Sequence, residues 1–428
     1  MKHVLIVGGG ASGLLVAINI FRLAKDSISI EIAEPREVLG QGLAYSTTDE
    51  AHLLNVPAGR MSAFPDQPSH FVDWAGRDNN YFAPRKEYGR YLLETFAETK
   101  TKSPRVNFEH RRLMVRDISP SSSEWEAEFS DGSSREYNQV VLAMGHGLPL
   151  EISALKGLRD SARYQADPWR ESSKISSGTL IGVGTGLTFI DLALSHLRTH
   201  PENRVIGISR NGLLPEAHLA KRAEPLPVPS QVRSSARAVR EFIDNASDWR
   251  AAQDGVRHEL PDIWFSWNEE EKKEFFAKHL RWWNVHRHRV SPEIQLEVEK
   301  AIGEERLQIV KDEVEGITEG ANQVVLHLKS GASISGESLV NCLGYDAWKV
   351  NCLLSRLMES GVAVAGPMGL GIQSDFPRFN VKSSQPGGHP NLYAIGPILL
   401  GERFETTAIP ELKEQALEIA RRITSSDA

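Results

Sequence analysis

Cysteine is almost missing from this chain. Cys342 and Cys352 are the only two in 428 residues, which excludes a disulfide framework and a multi-thiolate metal or iron–sulfur site. Their spacing is also too wide for a C-x-x-C redox pair. A basic excess is lacking as well. Lys and Arg number 49 against 56 Asp and Glu, a net charge of −7, whereas a general nucleic-acid binder carries a basic face and a high pI. Long apolar runs are scarce: beyond the first 21 residues nothing approaches the ~18 uninterrupted apolar residues of a membrane span. Glycines interrupt those first 21, and no small-residue cleavage site ends them, so they do not read as a secretory signal. The expectation is a cytoplasmic protein without membrane or nucleic-acid partners.

What remains is an ordinary globular composition, 40% hydrophobic and 25% charged, over a length of about three domains at ~150 residues each. The N-terminus reads as a βαβ unit. A strand over His3 to Val7 meets Gly8-Gly9-Gly10-Ala11-Ser12-Gly13, a helix runs from Leu14 to Ala24, and a strand from Ser27 to Ala33 ends at Glu34. Gly8, Gly10 and Gly13 satisfy G-x-G-x-x-G. The first permits the turn, the second lets the backbone approach a pyrophosphate, and the third lets helix and strand pack closely. Phosphates would sit at the helix N-terminus, within reach of Ala11 and Ser12, where unpaired N–H groups and the dipole favour negative charge. Glu34 is placed to bind a ribose hydroxyl pair. This end is expected to bind an adenine dinucleotide.

A second unit of the same shape begins near Gly178, with a strand over Thr179 to Val183, a helix from Leu187 to Leu197 and a strand over Arg204 to Ile208. Its turn contains Gly184 and Gly186 but has Phe189 where the third glycine belongs, a bulky residue expected to widen the helix–strand contact. No acid ends the next strand; Ser209-Arg210 does. An arginine there suits the 2′-phosphate of NADPH, whereas a carboxylate favours NADH. An ordinary βα turn with a solvated arginine is the alternative, and NADH stays possible. Two unlike dinucleotide sites in one chain have an obvious use: one holds a flavin and the other delivers a nicotinamide for hydride transfer to it.

Later fragments fit that scheme. Val140 to Gly145 reads as a strand ending in Ala-x-Gly, and Leu339 to Gly344 as another ending in glycine. Leu392 to Gly396 reads as a strand returning to cover the flavin, followed by a helix over Glu411 to Ile423 whose N-terminus would face the ring. Between Pro215 and Pro292 the texture turns helical, with runs over Ser234 to Phe242 and Asn268 to Trp283. Five of the nine tryptophans fall here.

Several segments resemble a family of bacterial FAD/NAD(P)-binding proteins that includes FAD-dependent urate hydroxylases and aspartate N-hydroxylases. They are Gly40-Gln41-Gly42-Leu43-Ala44-Tyr45-Ser46, Leu53 to Ala58, Pro84-Arg85 with Tyr88-Gly89-Arg90-Tyr91, Gly184 to Thr188 with Asp191, Ser209 to Pro215, His286-Arg287-His288-Arg289, and Thr406 to Leu412. Met144 departs from the Ala-Thr-Gly form common at that place. The resemblance spans nearly the whole chain and implies a flavin monooxygenase. NAD(P)H would reduce FAD, the reduced flavin would capture O2 as a C4a-(hydro)peroxide, and a small polar nitrogen-containing substrate, urate-like or an amino acid, would take the distal oxygen. A plain NAD(P)H:acceptor oxidoreductase is the alternative.

The resulting expectation is an α/β protein with two dinucleotide-binding, Rossmann-like domains. Residues 1–150 and 365–428 form an FAD domain, and 151–364 an NAD(P) domain with a helical insertion at about 215–300. FAD contacts are expected from Gly8, Gly10, Ala11, Ser12, Gly13, Glu34, Gly42, Asn55, Gly145 and Gly396, and NAD(P)H contacts from Gly184, Gly186, Ser209 and Arg210. Arg85, His286, Arg287 and His288 are substrate candidates. The basic patch reads equally as a solvated helix end, and Arg85 as half of a structural ion pair. No metal is expected, since the flavin carries the hard chemistry.

Overall fold

The computed structural model describes residues 1–121, 125–169, 177–219, 224–345, 351–386 and 388–425. Strand β1 (Lys2–Val7), helix α1 (Ala11–Leu23) and strand β2 (Ile28–Ala33) form the start of a parallel sheet, in register from Lys2 opposite Ile28 to Val7 opposite Ala33. The continuous apolar run Val4–Val7 is fully buried because both sheet faces are covered, which is what such runs signal. Helix α2 (Arg85–Thr101) leads to β3 (Val106–Arg111) on the far side of β2. An antiparallel meander over Val115–Pro120, Trp125–Phe129 and Ser134–Tyr137 then feeds β4 (Gln139–Leu142) back beside β1.

The same order recurs in the second sheet. Strand β5 (Thr179–Val183), helix α3 (Leu187–Thr199) and β6 (Arg204–Ser209) form its βαβ unit. The helical insertion follows, with α4 (Ala236–Asp244), α5 (Trp249–Ser266) and α6 (Leu280–Arg287) among its helices. Strand β7 (Leu307–Lys311) then joins β6. A second meander over Val314–Glu319, Val324–Leu328 and Ser333–Gly336 returns the chain as β8 (Ser338–Asn341) beside β5. The repetition of strand, helix, strand, meander and return strand describes two units built to one plan.

The C-terminal segment goes back to the first sheet. Strand β9 (Leu392–Ala394) pairs in parallel with β4, and helix α7 (Ile409–Thr424) lies along α1. One core runs through β1–β4, α1, α2, β9 and α7. The insertion has its own aromatic core, in which Trp264, Phe275, Phe276 and Trp283 surround Phe404 of the return segment and Trp267 packs on Trp264 and Phe275. No described helix is long and apolar enough to cross a membrane.

Candidate functional site

The first turn is shaped by close approach. At Gly8 (φ +105°) a Cβ would stand 2.4 Å from the Ala143 carbonyl oxygen, and at Gly13 one would stand 2.1 Å from that of Gly8. Side chains are excluded at both positions, so β1, α1 and the end of β4 meet without a gap. Gly10 faces Gly42, whose Cα lies 3.5 Å from where a Gly10 Cβ would be, and the Gly40 N–H donates to the Gly9 carbonyl at 2.7 Å. The 40–42 loop is thereby tied to the turn. Gly10 offers no side-chain cap to α1, so the first N–H groups, Ala11 and Ser12 among them, are available to an anion. Gly396 closes the same corner: its N–H donates to Gln415 Oε1 at 3.0 Å, and its carbonyl accepts from Thr406 Oγ1 at 3.2 Å.

Glu34 ends β2 beside this turn, but its oxygens are occupied. Oε2 accepts from the Gly9 N–H at 3.0 Å and Arg36 Nη2 at 3.1 Å; Oε1 accepts from the Arg36 N–H at 3.1 Å and Nε at 2.9 Å. Burial raises its pKa, yet the hydrogen bonds and charge of Arg36 outweigh that and hold the carboxyl below its usual range. Four acceptor positions are filled, so a ribose can reach Glu34 only when the Arg36 guanidinium swings aside. The Arg36 side chain is 47% exposed, against 8% for Glu34, which leaves it room to move.

The second turn repeats the first approach. At Gly184 (φ +100°) a Cβ would stand 2.4 Å from the Cys342 carbonyl oxygen, as at Gly8 and Ala143, while among the described residues nothing lies within 4 Å of a Cβ placed on Gly186, Gly145 or Gly344. Both turns therefore leave backbone uncovered where a pyrophosphate needs it. Phe189 does not simply push helix and strand apart. Its ring lies over Gly182 and Gly207, register partners on β5 and β6, at 2.4 and 2.5 Å from the Cβ positions those residues lack. The space that a third glycine gives in the helix is here supplied by two glycines in the strands.

Ser209 Oγ lies 2.8 Å from Thr185 Oγ1 and accepts from the Gly212 N–H at 3.1 Å, which fixes the end of β6. Arg210 follows, exposed. The chain beyond it runs beside α6: the Glu216 N–H donates to the Val285 carbonyl at 3.1 Å, and the Val290 N–H to that of Glu216 at 2.8 Å. Arg281, in the first turn of α6, shares this corner; burial and the Arg210 charge hold its guanidinium below its ordinary pKa. Neither arginine has a carboxylate within ion-pair distance among the described residues. Arg281 was not legible in the sequence, because nothing in a helical run far from Ser209-Arg210 signals that the two ends converge.

The basic patch at the end of α6 is dispersed rather than gathered. His286 sits between Trp282 and Trp249, with ring centroids 4.7 Å away in each case, and its Nδ1 is 2.8 Å from the Trp282 carbonyl oxygen. Arg287 is buried and donates to Glu405 from Nε (3.0 and 3.1 Å) and Nη2 (2.8 Å). Trp283 Nε1 donates to the same carboxylate at 3.3 Å, and Arg257 lies 3.8 Å away while also pairing with Glu411. Arg289 pairs with Asp254 at 3.2 Å. Only His288 has a side chain without a hydrogen-bond partner among the described residues, and burial, with the Arg287 charge, pushes its pKa down to about 4. It is therefore neutral near pH 7.

Arg85 is likewise engaged: its Nη2 lies 3.1 Å from Asp191 Oδ2, both side chains being buried or nearly so. Asn55 stands on the loop facing the second unit, where its carbonyl oxygen lies 3.1 Å from His218 Nε2. Gly145 opens the crossing beyond β4, next to His146, whose ring is 5.8 Å from that of Tyr345 at the matching crossing beyond β8.

Residues 5–147 match a family model described as FAD-NAD(P)-binding. No curated protein sequence matches the chain. Among solved structures it is similar to an ornithine N-hydroxylase from Kutzneria sp. 744, held with reduced FAD, NADP+ and L-ornithine, at 15% identity and a TM-score of 0.65 over 99% of this chain and 100% of that one. L-lysine 6-monooxygenase from Pseudomonas syringae matches at 16% identity and 0.66 over 99% of each chain. Bacillithiol disulfide reductase from Staphylococcus aureus matches at 14% and 0.60 over the full length of both. Residues 5–147 thus carry an FAD/NAD(P)-binding domain, set in a fold that the chain shares from end to end with the Kutzneria structure.

Proposed function

We propose that the protein is an FAD-dependent, NAD(P)H-consuming monooxygenase that hydroxylates a small polar nitrogen-containing substrate, urate-like or an amino acid. One observation carries the reading: the chain contains two dinucleotide turns of the same construction, Gly8 under Ala143 and Gly184 under Cys342. The likeness to N-hydroxylase structures over 99% of the chain supports it. We assign 1–150 and 365–428 to FAD and 151–364 to the nicotinamide nucleotide; the two separate sheets support that division, although Leu353, Leu354 and Leu357 pack into the core of the first unit.

FAD, when bound, supplies the redox and oxygen chemistry. The chain's own residues have simpler tasks. Gly10, Ala11, Ser12, Gly13 and Gly42 would hold the pyrophosphate of FAD, Glu34 would take the ribose once Arg36 moves, and Asn55, Gly145 and Gly396 would lie toward the ring. Gly184, Gly186 and Ser209 would receive NADPH, with Arg210 and Arg281 as candidates for its 2′-phosphate: two guanidiniums that feel each other's charge and have no carboxylate within ion-pair distance among the described residues are what a phosphate dianion offsets. His288, neutral, offers substrate one donor and one acceptor nitrogen. Arg287 acts from behind by holding Glu405, and His286 by its seat between two tryptophans.

The experiment is product stoichiometry. Protein loaded with FAD is given NADPH, O2 and urate, aspartate, ornithine or lysine, and hydroxylated product and hydrogen peroxide are counted per NADPH. One hydroxylated product per NADPH with one of them is expected. Hydrogen peroxide at one per NADPH with all of them contradicts the reading and favours the acceptor oxidoreductase, which the likeness to bacillithiol disulfide reductase supports. Against a thiol role for Cys342, its side chain is buried and its thiol pKa is pushed well up by that burial.

A further inference from the structure

The contact between the loop at 47–55 and helix α3 is built of polar parts that neither dinucleotide turn uses. Asp191 and Ser195 are four residues apart on α3, so both project from one face. Asp191 receives the Arg85 guanidinium, from the first position of α2, at 3.1 Å. The Ser195 hydroxyl donates to Asp49 Oδ2. His52 Nε2 lies 2.8 Å from Ser195 Oγ and its Nδ1 2.6 Å from Thr47 Oγ1. Since the serine proton is committed to Asp49, Nε2–H donates to Ser195, and Nδ1 accepts from the Thr47 hydroxyl. This is not the arrangement of a nucleophilic triad, in which histidine accepts the serine proton. The Arg85 N–H donates to the His52 carbonyl at 2.8 Å, closing the circuit through the backbone. Trp169 covers it, 5.4 Å from the His52 ring and 5.9 Å from the Arg85 guanidinium. One residue further, Leu53 packs into the core formed by β5, β6 and α3.

These residues come from both units, and the helix α3 that carries Asp191 and Ser195 follows directly from the Gly184–Gly186 turn. A helix is stiff along its axis, so whatever holds the Asp191–Ser195 face sets where that turn points.

We propose that Asp191 and Ser195 are positioning residues: through Arg85 and the Asp49–His52 pair they clasp α3 to the flavin unit and set the approach of a bound nicotinamide to the flavin. The inference rests on the two-dinucleotide reading above. Neither residue touches a cofactor. Their effect is on hydride-transfer geometry, where a displacement of about 1 Å can cost on the order of 100-fold in rate.

The test uses the FAD-loaded full chain and Asp191→Asn, with Ser195→Ala as a milder variant that keeps the Arg85–Asp191 pair. Anaerobic stopped-flow gives the limiting rate of flavin reduction and the NADPH dissociation constant separately. The apoproteins are compared by amide hydrogen exchange over residues 187–195. Asp191→Asn is expected to cut the limiting rate by about tenfold or more while the dissociation constant stays within about twofold. Ser195→Ala should act in the same direction, and exchange at 187–195 should quicken in both apoproteins. The exchanged pair Arg85→Asp/Asp191→Arg should recover part of the rate. Unchanged rates and exchange overturn the proposal, as does a rate loss matched by an equal loss of NADPH affinity. If NADPH fails to reduce the wild-type flavin, the nicotinamide reading itself has failed; wild-type reduction with unaffected variants removes only the positioning role.

Discussion

Phe189 lies against Gly182, its ring carbon 2.4 Å from the point where a Cβ would be. Helix and strand can meet closely either by omitting a side chain from the helix, as at Gly13, or by omitting one from the strand. The second unit takes the latter route at Gly182 and Gly207. Gly182→Ala should therefore destabilise the protein by about 1–3 kcal/mol through overpacking. Phe189→Ala should do so by about 3–5 kcal/mol through the cavity it leaves. The double variant should be more stable than the sum of the two losses implies, because the new methyl enters the vacated space. Denaturant titration of the three variants checks this; additive losses would mean the residues do not share that space.

Arg36 and Glu34 give a prediction of opposite sign for two neighbours. Glu34→Gln should lower FAD retention on gel filtration, because an amide replaces the charged acceptor. Arg36→Ala should hold FAD at least as tightly as wild type, since it frees the acceptor positions of Glu34 that the guanidinium fills. Equal FAD loss in both variants would contradict the view that Arg36 must leave for the ribose to bind.

At the other nucleotide corner, Arg210→Ala and Arg281→Ala should each raise the KM for NADPH about tenfold and leave that for NADH within about twofold. A lost charge-assisted hydrogen bond of about 1.5 kcal/mol corresponds to roughly that factor. Initial rates of flavin-dependent NADPH and NADH consumption decide it. Equal effects on the two nucleotides would remove both arginines from the 2′-phosphate.

Acid should unsettle the junction between the insertion and the return segment in two stages. His288 falls from 6.5 to about 4 in the folded state, so the unfolded chain binds the proton first and stability declines as pH drops from 6.5 towards 4. Glu405 falls from 4.5 to about 2, because Arg287 and Arg257 outweigh the burial that raises it. Its contribution, on the order of 3 kcal/mol, is complete above pH 4.5 and lost as pH falls towards 2. Denaturation against pH should show His288→Gln with a shallower upper slope, the rest of which comes from other histidines, His52, His146 and His196 among them, that burial also holds low. Glu405→Gln should have a shallower lower slope and lose about 3–5 kcal/mol at neutral pH, since the buried Arg287 loses its partner while Arg257 keeps only Glu411.

The βαβ units were legible because their periods are local: Thr179–Val183 and Leu187–Thr199 follow from alternation, a glycine turn and helical spacing within a few residues. What the sequence hid was set by distant partners. The run Asn268 to Trp283 reads as one helix, and the chain is indeed helical from Glu269 to Arg287, but with a π-helical turn over Phe275–His279 that local spacing does not show. That register turns Phe275 into the aromatic core around Phe404, a contact no local pattern contains. The adjacent charges at 286–289 read as one patch, but Glu405, far along the chain, takes Arg287 while Asp254 takes Arg289. Arg85 reads equally as a ligand or half of an ion pair until Asp191 appears beside it.

The central claim is that this fold carries an oxygenating flavin fed by a nicotinamide. The most direct measurement is to reduce the FAD-loaded protein anaerobically with NADPH, mix it rapidly with aerated buffer and follow the flavin spectrum. The account predicts reduction by NADPH, then a transient spectrum distinct from both reduced and oxidised flavin before the oxidised form returns. Reoxidation in a single phase with no such transient, with and without urate, aspartate, ornithine or lysine, would contradict it.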